Sequence, residues 1–414
     1  MSPFAKIAML VVVFVDLIGQ GLVFPILNSM IMEPSSIFLP HDSSTATRHL
    51  TYGLVIGIFF LSWFLGAPYI AQLSDVIGRK NAVLICLFGA LVGYGVTIIS
   101  LYTGSLILLI LGRAVTGLTA GNQPIAQAAL VDGSRDEEDK NRNMGYIMVG
   151  ISAGLVGGPL IGGLLSDPVI IGSEANLKLP FYASFVIVLA AIALVVFFFH
   201  DIRTERRPFT FRPTEVFELL WRVRKYPLVM RISGVLVFFH IANLMFYIFV
   251  TNFSVSRFGF DTLATSLIMV SIGTAIAVAG SFLVVPMQAR FSKFTIITVN
   301  LLVWLVNSIL ITMVTDGVWV YALAFINYLI FGITYPTFLG LYSASAGEEE
   351  QGWVMGITVA IFTLIAGITA LLGGELIGID LYLPFNIVTG AALLALIMQF
   401  LTWRGPEMDK LTGR

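Results

Sequence analysis

Charge and cysteine are what this chain has least of. Asp, Glu, Lys and Arg supply 11% of its 414 residues, less than half of the roughly 25% usual in a soluble domain. Too little polar surface remains to cover a water-exposed globule. The one cysteine, Cys86, can form no internal disulfide, and it falls inside an apolar run where packing is its expected role. Four histidines without clustered Cys or acidic partners offer no metal-ligating pattern, so no metal and no cofactor are expected. Gly-rich phosphate loops and nucleophile triads are also missing, which argues against ATP use and against catalysis. A net charge of −1 says nothing by itself about nucleic acid, and no such partner is expected.

Hydrophobic residues, in contrast, make up 57% of the chain, and the mean hydropathy is +0.93. Twelve apolar runs lie near 7–32, 50–73, 81–101, 105–129, 144–166, 179–199, 228–252, 263–287, 294–314, 318–342, 353–374 and 381–403. Each approaches the 20 or so residues an α-helix needs to cross the hydrocarbon of a bilayer. None alternates with period two, so a helical bundle is the expected way to satisfy the backbone in lipid. The first run is too long for the apolar core of a signal peptide and is read as the first membrane helix.

The expected fold is therefore an all-α membrane protein of twelve transmembrane helices in two pseudo-symmetric six-helix bundles. Of the 23 Lys and Arg, 19 fall on one set of loops, three (Arg48, Lys178, Arg257) on the other, and Arg113 within a run. That asymmetry puts both termini in the cytoplasm. The longest polar stretch, 200–227, mixes Phe217, Leu220, Trp221 and Val223 with Glu215, Glu218, Arg222, Arg224 and Lys225. It is expected to hold an interfacial amphipathic helix linking bundles at 1–199 and 228–414. At an offset of 214–215 residues Gly158 aligns with Gly373, Gly163 with Gly378, Gly78-Arg79 with Ser292-Lys293, and Arg113 with Asn327. Parallel six-helix repeats are a transporter architecture, with a substrate site expected at the midplane between the halves.

The first run holds a single carboxylate, Asp16, in VVVFVDLIGQGLVFPIL. A charge at the centre of a span costs roughly 2.5–3.5 kcal/mol or more and marks function by default. Asp16 follows Lys6 by ten residues, about 15 Å of helix, which puts it at mid-membrane. The loop after the second run reads AQLSDVIGRKNAV, with Asp75, Gly78, Arg79 and Lys80 as candidate gating residues. Gly78 permits a turn of positive φ, and Asp75 is expected to face the positive end of a helix. In the fourth run Arg113, Gly117 and Gly121 recur every four residues. A permanently charged arginine there needs an acceptor, and Asp16 is the expected one. The fifth run carries Gly154, Gly158, Pro159, Gly162 and Gly163, which strip one helix face for close packing and add a bend.

Together these strings resemble the signatures of the major facilitator superfamily. The loop resembles G-x-L-a-D-r-x-G-R-K, with Ala71 and Val76 departing from it, and the fourth run resembles R-x-x-x-G-x-x-x-G. The fifth run resembles the antiporter motif, and Asp16-x-x-Gly19-x-Gly21-Leu22-x-x-Pro25-x-Leu27 resembles the first helix of the 12-helix drug/proton antiporters, the tetracycline exporters among them. Asn28 stands where that branch usually has a second proline.

The resemblance implies a central cavity lined by helices 1, 4, 7 and 10. Gln20, Gln123, Gln127, Asn243, Asn327, Phe239, Tyr328 and Phe331 are its candidate lining, and Asp16, Arg113 and His240 the candidate proton-coupling groups. Burial favours a neutral carboxyl and a nearby cation the ionised one, so such a pair can switch with exposure. His240 is included because an unperturbed imidazole titrates near neutrality. Glu348, Glu349 and Glu350 are a candidate latch toward Arg79 or Lys80, and Glu375 a wetted mouth position.

The expected function is a proton antiporter exporting small amphipathic compounds by alternating access. Two alternatives remain open: a proton symporter importing a metabolite or siderophore, and an uncoupled lipid-handling or receptor-like protein. Expected partners are a small-molecule substrate, protons and the lipid bilayer, with a monomer in the inner (cytoplasmic) membrane.

Overall fold

A computed structural model describes residues 1–201, 214–347 and 350–414, with side-chain surroundings for all of these except Gln20, Gly21, Glu137, Asn141, Glu215 and Gln351. Among the described residues there is no β-strand, and twelve helices are long and apolar enough to cross a membrane. Their side chains explain the hydropathy: Phe197, Phe282 and Val285 are more than 70% exposed, as suits a surface solvated by acyl chains.

The chain divides into two compact units, Met1–Arg212 with Phe260–Val270, and Pro213–Gly259 with Ser271–Arg414. The start of the eighth span thus belongs with the first unit. The expected division cut the chain at its linker alone.

Unit 1 contains α1 (Pro3–Met32), α2 (Thr45–Ile77), α3 (Arg79–Thr103), α4 (Leu106–Leu118), α5 (Asn122–Asp132), α6 (Glu137–Ser166), the short α7 (Pro168–Ile171) and α8 (Leu179–Phe198). α1 is its central element and lies against α6, α8 and α5, while α4 packs on α2 and α3. Ser2 caps α1 by accepting the Ala5 N–H, and Pro3 occupies the first turn, where a missing N–H costs nothing. The other end of α1 is closed by Arg48, one of the three basic residues on the sparser set of loops. It is 4% exposed and donates to Ile31 O at 3.0 Å, Glu33 O at 2.6 Å and Pro40 O at 3.3 Å. A guanidinium with five donors suits the orphan carbonyls of a helix end.

Unit 2 contains α9 (Glu215–Arg222), α10 (Pro227–Phe258), α11 (Thr262–Val278, beyond its first turns), α12 (Val284–Arg290), α13 (Lys293–Met313), α14 (Val318–Ala344), α15 (Gln351–Ile379), α16 (Leu383–Thr402) and α17 (Pro406–Thr412). A π-turn, Ala279–Leu283, joins α11 to α12 within one span. Here α10 is central and packs on α15 and α16, as α1 does on α6 in unit 1. Repeat-related glycines sit in both pairings with different fillings. A Cβ on Gly158 would meet the α1 backbone at Ile18 O, 2.9 Å, whereas the space over Gly373 is taken by the Phe249 ring and the Met245 sulfur.

The linker helix α9 docks within unit 2. Trp353 Nε1 donates to Leu219 O at 3.3 Å, and the Arg222 guanidinium lies 4.7 Å over the Trp353 ring. Arg222 also pairs with Glu350 at 2.6 Å, to which the Tyr226 hydroxyl donates at 2.8 Å. Phe217 and Trp221 point outward, 59% and 65% exposed, as an interfacial helix requires. Trp353→Ala is expected to loosen this dock, so that trypsin cuts after Arg222 and Arg224 about tenfold faster, the equivalent of ~1.4 kcal/mol of local opening. Unchanged cleavage at those two arginines would show that Trp353 does not hold the helix.

Candidate functional site

α1 carries Asp16 half-buried between the fully packed Val15 and Leu17. The helix that brackets it is α6, whose glycines sit directly on the α1 main chain. A Cβ on Gly150 would lie 3.3 Å from Leu10 O. One on Gly154 would lie 2.6 Å from Leu17 Cβ and 2.9 Å from Phe14 O, and one on Gly158 3.1 Å from Leu22 N. Glycine at these positions lets two backbones touch on either side of the carboxylate. Farther along, Gly162 faces Ile26 at 3.2 Å and Gly163 faces Ser266 Cβ at 2.8 Å. Pro159 lies within α6, which continues to Ser166.

The fourth span is not one helix, as expected from its hydropathy, but two. α4 ends at Leu118, Thr119 and Ala120 leave the helical path, and Gly121 adopts φ +150°, a conformation open to glycine. α5 then restarts inside the span, and its second residue, Gln123, donates its backbone N–H to Asp16 Oδ2 at 3.2 Å. The Asn122 side chain is a further hydrogen-bond neighbour of this carboxylate. Free N–H groups and the positive end of the peptide dipoles make a helix start a natural seat for an anion. Broken spans in transporters place such ends at the midplane.

Arg113 therefore does not play the part expected of it. It is buried, 5% exposed, with its guanidinium carbon 4.3 Å from the centroid of Phe59. Among the described ion pairs none joins it to Asp16, and its Nε has no hydrogen-bond partner. Helical rise puts the two residues at one depth but does not fix the faces they point from. Both nonetheless line one small cavity of about 30 Å³, with Gly19, Phe59, Tyr94, Thr116 and Asn122. A much larger cavity, about 620 Å³, lies where α1 begins, around Lys6, Arg142 and Tyr146. There Asp139 bridges Lys6 and Arg142, each at 2.7 Å, and Asp16 is not part of it.

Gly78 takes φ +93° between α2 and α3. Arg79 pairs with Asp75 at 3.0 Å and with Asp132 at 3.3 Å, and donates to Ser74 Oγ at 2.7 Å. The carboxylate at the α3 N-terminus is that of Asp201, which accepts the Lys80 N–H at 3.2 Å, while Lys80 Nζ reaches Val196 O at 2.9 Å. Asp132 and Asp201 were invisible as members of this cluster because they arrive from distant spans. Glu348 and Glu349 lie outside the described residues, and Glu350 is engaged by Arg222 and Tyr226.

In unit 2, His240 is buried in an aromatic surround, 5.4 Å from Phe239 and Phe362 and 5.8 Å from Tyr335 by ring centroids. Neither ring nitrogen has a partner among the described residues. Phe239, Phe331 and Tyr335 stack in series at 5.6 Å, within 6° of parallel. Asn327 accepts from Asn307 at 2.9 Å, and Tyr328 donates to Asn243 O at 3.2 Å; both are bonds between helices. Gln127 is exposed and meets the Met144 sulfur at 3.7 Å. The side chain of Gln20 is outside the description, and Glu375 is exposed.

Comparison with known proteins bears on the family and the fold. The profile of the Major Facilitator Superfamily matches residues 9–371. The class D tetracycline resistance protein of Salmonella ordonez is 27% identical over 359 residues, 86% of this chain and 85% of its own. The quinolone resistance protein NorA of Staphylococcus aureus (strain MRSA252) is 23% identical over 390 residues, 93% of each chain. Among solved structures, the human organic anion transporter MFSD10 (TETRAN) superposes with a TM-score of 0.71 at 18% identity, covering 97% of this chain and 100% of its own.

Proposed function

Because the chain belongs to the Major Facilitator Superfamily, we propose that it is a proton antiporter that exports small amphipathic compounds from the cytoplasm, with Asp16 as the carboxyl group that carries the proton. The observation that carries this reading is the seat of Asp16: a carboxylate inside a membrane span, held by the broken helix and joined by none of the ion pairs among the described residues. A salt-bridged acid is committed to its ionised form. One steadied by a backbone N–H and a polar side chain, beside apolar packing, can exist in either form as its exposure changes.

In one access state Asp16 takes a proton from the outer side. In the other it releases the proton inward, and substrate occupies the site while the carboxylate is ionised. Arg113 contributes a fixed positive charge at the same cavity. The glycine face of α6 holds α1 in register, so that the carboxylate stays opposite the α5 N-terminus. Arg79, with Asp75 and Asp132, ties the loop after α2 to the end of α5, a brace for helices that must move together.

The relatives support the direction and the substrate class, since their names concern resistance to tetracycline and to quinolones. The half-buried Phe331 and Tyr335, packed on the buried Phe239, are the aromatic groups of unit 2 that such planar molecules could meet. The distribution of Lys and Arg supports cytoplasmic termini, and the bacterial relatives an inner-membrane location.

The test is a pH step across vesicles containing the purified protein, with tetracycline or a quinolone as probe. Acidifying the lumen is expected to drive the probe inward while the lumen alkalinises. Movement of probe and proton in the same direction would indicate symport instead, and probe movement without proton flux an uncoupled carrier.

A further inference from the structure

Tyr94 of α3 enters the Asp16 site from a helix that sequence reading did not connect with it. The phenol is buried, 6% exposed, and lines the same 30 Å³ cavity as Asp16 and Arg113. Its hydroxyl lies 2.5 Å from where a Cβ on Gly19 would be, and the ring carbon behind it lies at 3.7 Å. Gly19 is thus a notch one turn beyond Asp16 that admits one oxygen atom and little else.

Two polar atoms in residues lining this cavity are without partners among the described residues, Arg113 Nε and Asn122 Oδ1, from residues 5% and 2% exposed. Buried groups of this kind are rarely left unsatisfied, because an unpaired donor or acceptor has lost its water without gaining a partner. A cavity of about 30 Å³ exceeds what one water molecule needs, and a buried water typically has two to four polar partners. Asp16, Tyr94, Arg113 and Asn122 supply four.

We infer that Tyr94 is a positioning residue of the proton site: its hydroxyl, seated against Gly19, orders a water that links the Asp16 carboxylate to the Arg113 guanidinium. The inference rests on the reading of Asp16 as the exchanging carboxyl. The titratable and charged groups that face this water are Asp16 of α1, Tyr94 and the more distant Cys86 of α3, and Arg113 of α4, with Tyr52 of α2 near the guanidinium. α5 contributes the Asn122 amide and the Gln123 N–H, and α6 contributes Gly154 and Gly158 alongside α1. Donors gathered around a carboxylate favour its ionised form. Loss of the Tyr94 hydroxyl therefore weakens that form, and the site binds its proton at higher pH.

The experiment is an infrared titration of the carboxyl stretch in the full-length protein in lipid vesicles, with Asp16→Asn subtracted to isolate Asp16. Tyr94→Phe keeps the ring and its packing, and its thermal midpoint is expected to match the wild type. Its Asp16 midpoint is expected about one pH unit higher, the size of one hydrogen bond to a charged group. Gly19→Ala crowds the hydroxyl but not the ring, so it should produce the same rise alone and no further rise in a Tyr94→Phe background. An Asp16 midpoint in Tyr94→Phe equal to wild type, or full additivity of the two substitutions, overturns the role of Tyr94. If Asp16→Asn removes no titrating carboxyl at all, the reading of Asp16 falls, and the inference with it.

Discussion

Asp16→Asn is expected to abolish pH-driven transport while leaving the carrier able to exchange its substrate across the membrane. With one proton moving against one substrate, a pH difference of one unit sustains about a tenfold concentration ratio, because 1.4 kcal/mol corresponds to a factor of ten. Asparagine keeps the shape of the side chain and can still accept the Gln123 N–H, but it has no proton to trade. The ratio should therefore fall from about tenfold to one, with homoexchange of labelled probe at equal pH preserved. Retention of both activities in vesicles would mean that coupling resides elsewhere. Loss of both would mean that Asp16 serves substrate passage and not its coupling to protons.

The second large effect comes from the α6 glycine face. A Cβ at Gly158 lies 2.9 Å from Ile18 O and 3.1 Å from both Ile18 Cα and Leu22 N. All three are main-chain atoms, which cannot swing aside as a side chain can. Gly158→Val must push α1 off α6, at a cost of about 1–3 kcal/mol or more, and moves Asp16 away from the α5 N-terminus. The expected result is a clear fall in thermal stability together with loss of gradient-driven transport. Two controls separate packing from any general intolerance of glycine replacement. Gly157→Ala meets only the edge of the Phe14 ring, at 3.2 Å, and Gly145→Ala meets nothing within 4 Å. Both should behave close to wild type. Equal damage from all three would remove the helix contact as the explanation.

Much of the architecture is legible in the amino-acid sequence, because lipid imposes a simple rule. Every span must satisfy its own backbone, so apolar length alone reveals each of the twelve spans, whatever they pack against. The gap in the fourth span follows a subtler rule. Thr119, Ala120 and Gly121 are small residues that a close helix contact also favours, and their apolar surroundings hide the restart. Gly121 followed by Asn122 and by Pro124 in the first turn of α5 is the signal that locates it, since a missing N–H costs nothing where a helix begins.

The partner of Asp16 was less legible still. Counting residues along a helix gives depth, and depth made Arg113 a natural match. The direction in which a guanidinium points depends on what its neighbours offer, and Phe59 offers a ring face at 4.3 Å. Tyr94, Asp132, Asp201 and Arg48 had no local signal, because the fold alone brings each to the groups it sits beside. His240 carried the opposite hazard. Its chemistry drew notice, whereas its surroundings are aromatic rings without a counter-charge.

Antiport by this scheme requires that one carboxyl group, Asp16, exchange its proton as substrate comes and goes. Proton release on binding measures this most directly: purified wild-type protein and Asp16→Asn are mixed, in weakly buffered solution, with whichever of tetracycline and a quinolone stabilises the protein against heat. The wild type is expected to release protons on binding, most strongly on the acidic side of the Asp16 midpoint, while the variant binds and releases none. Equal proton release from both proteins would contradict the claim.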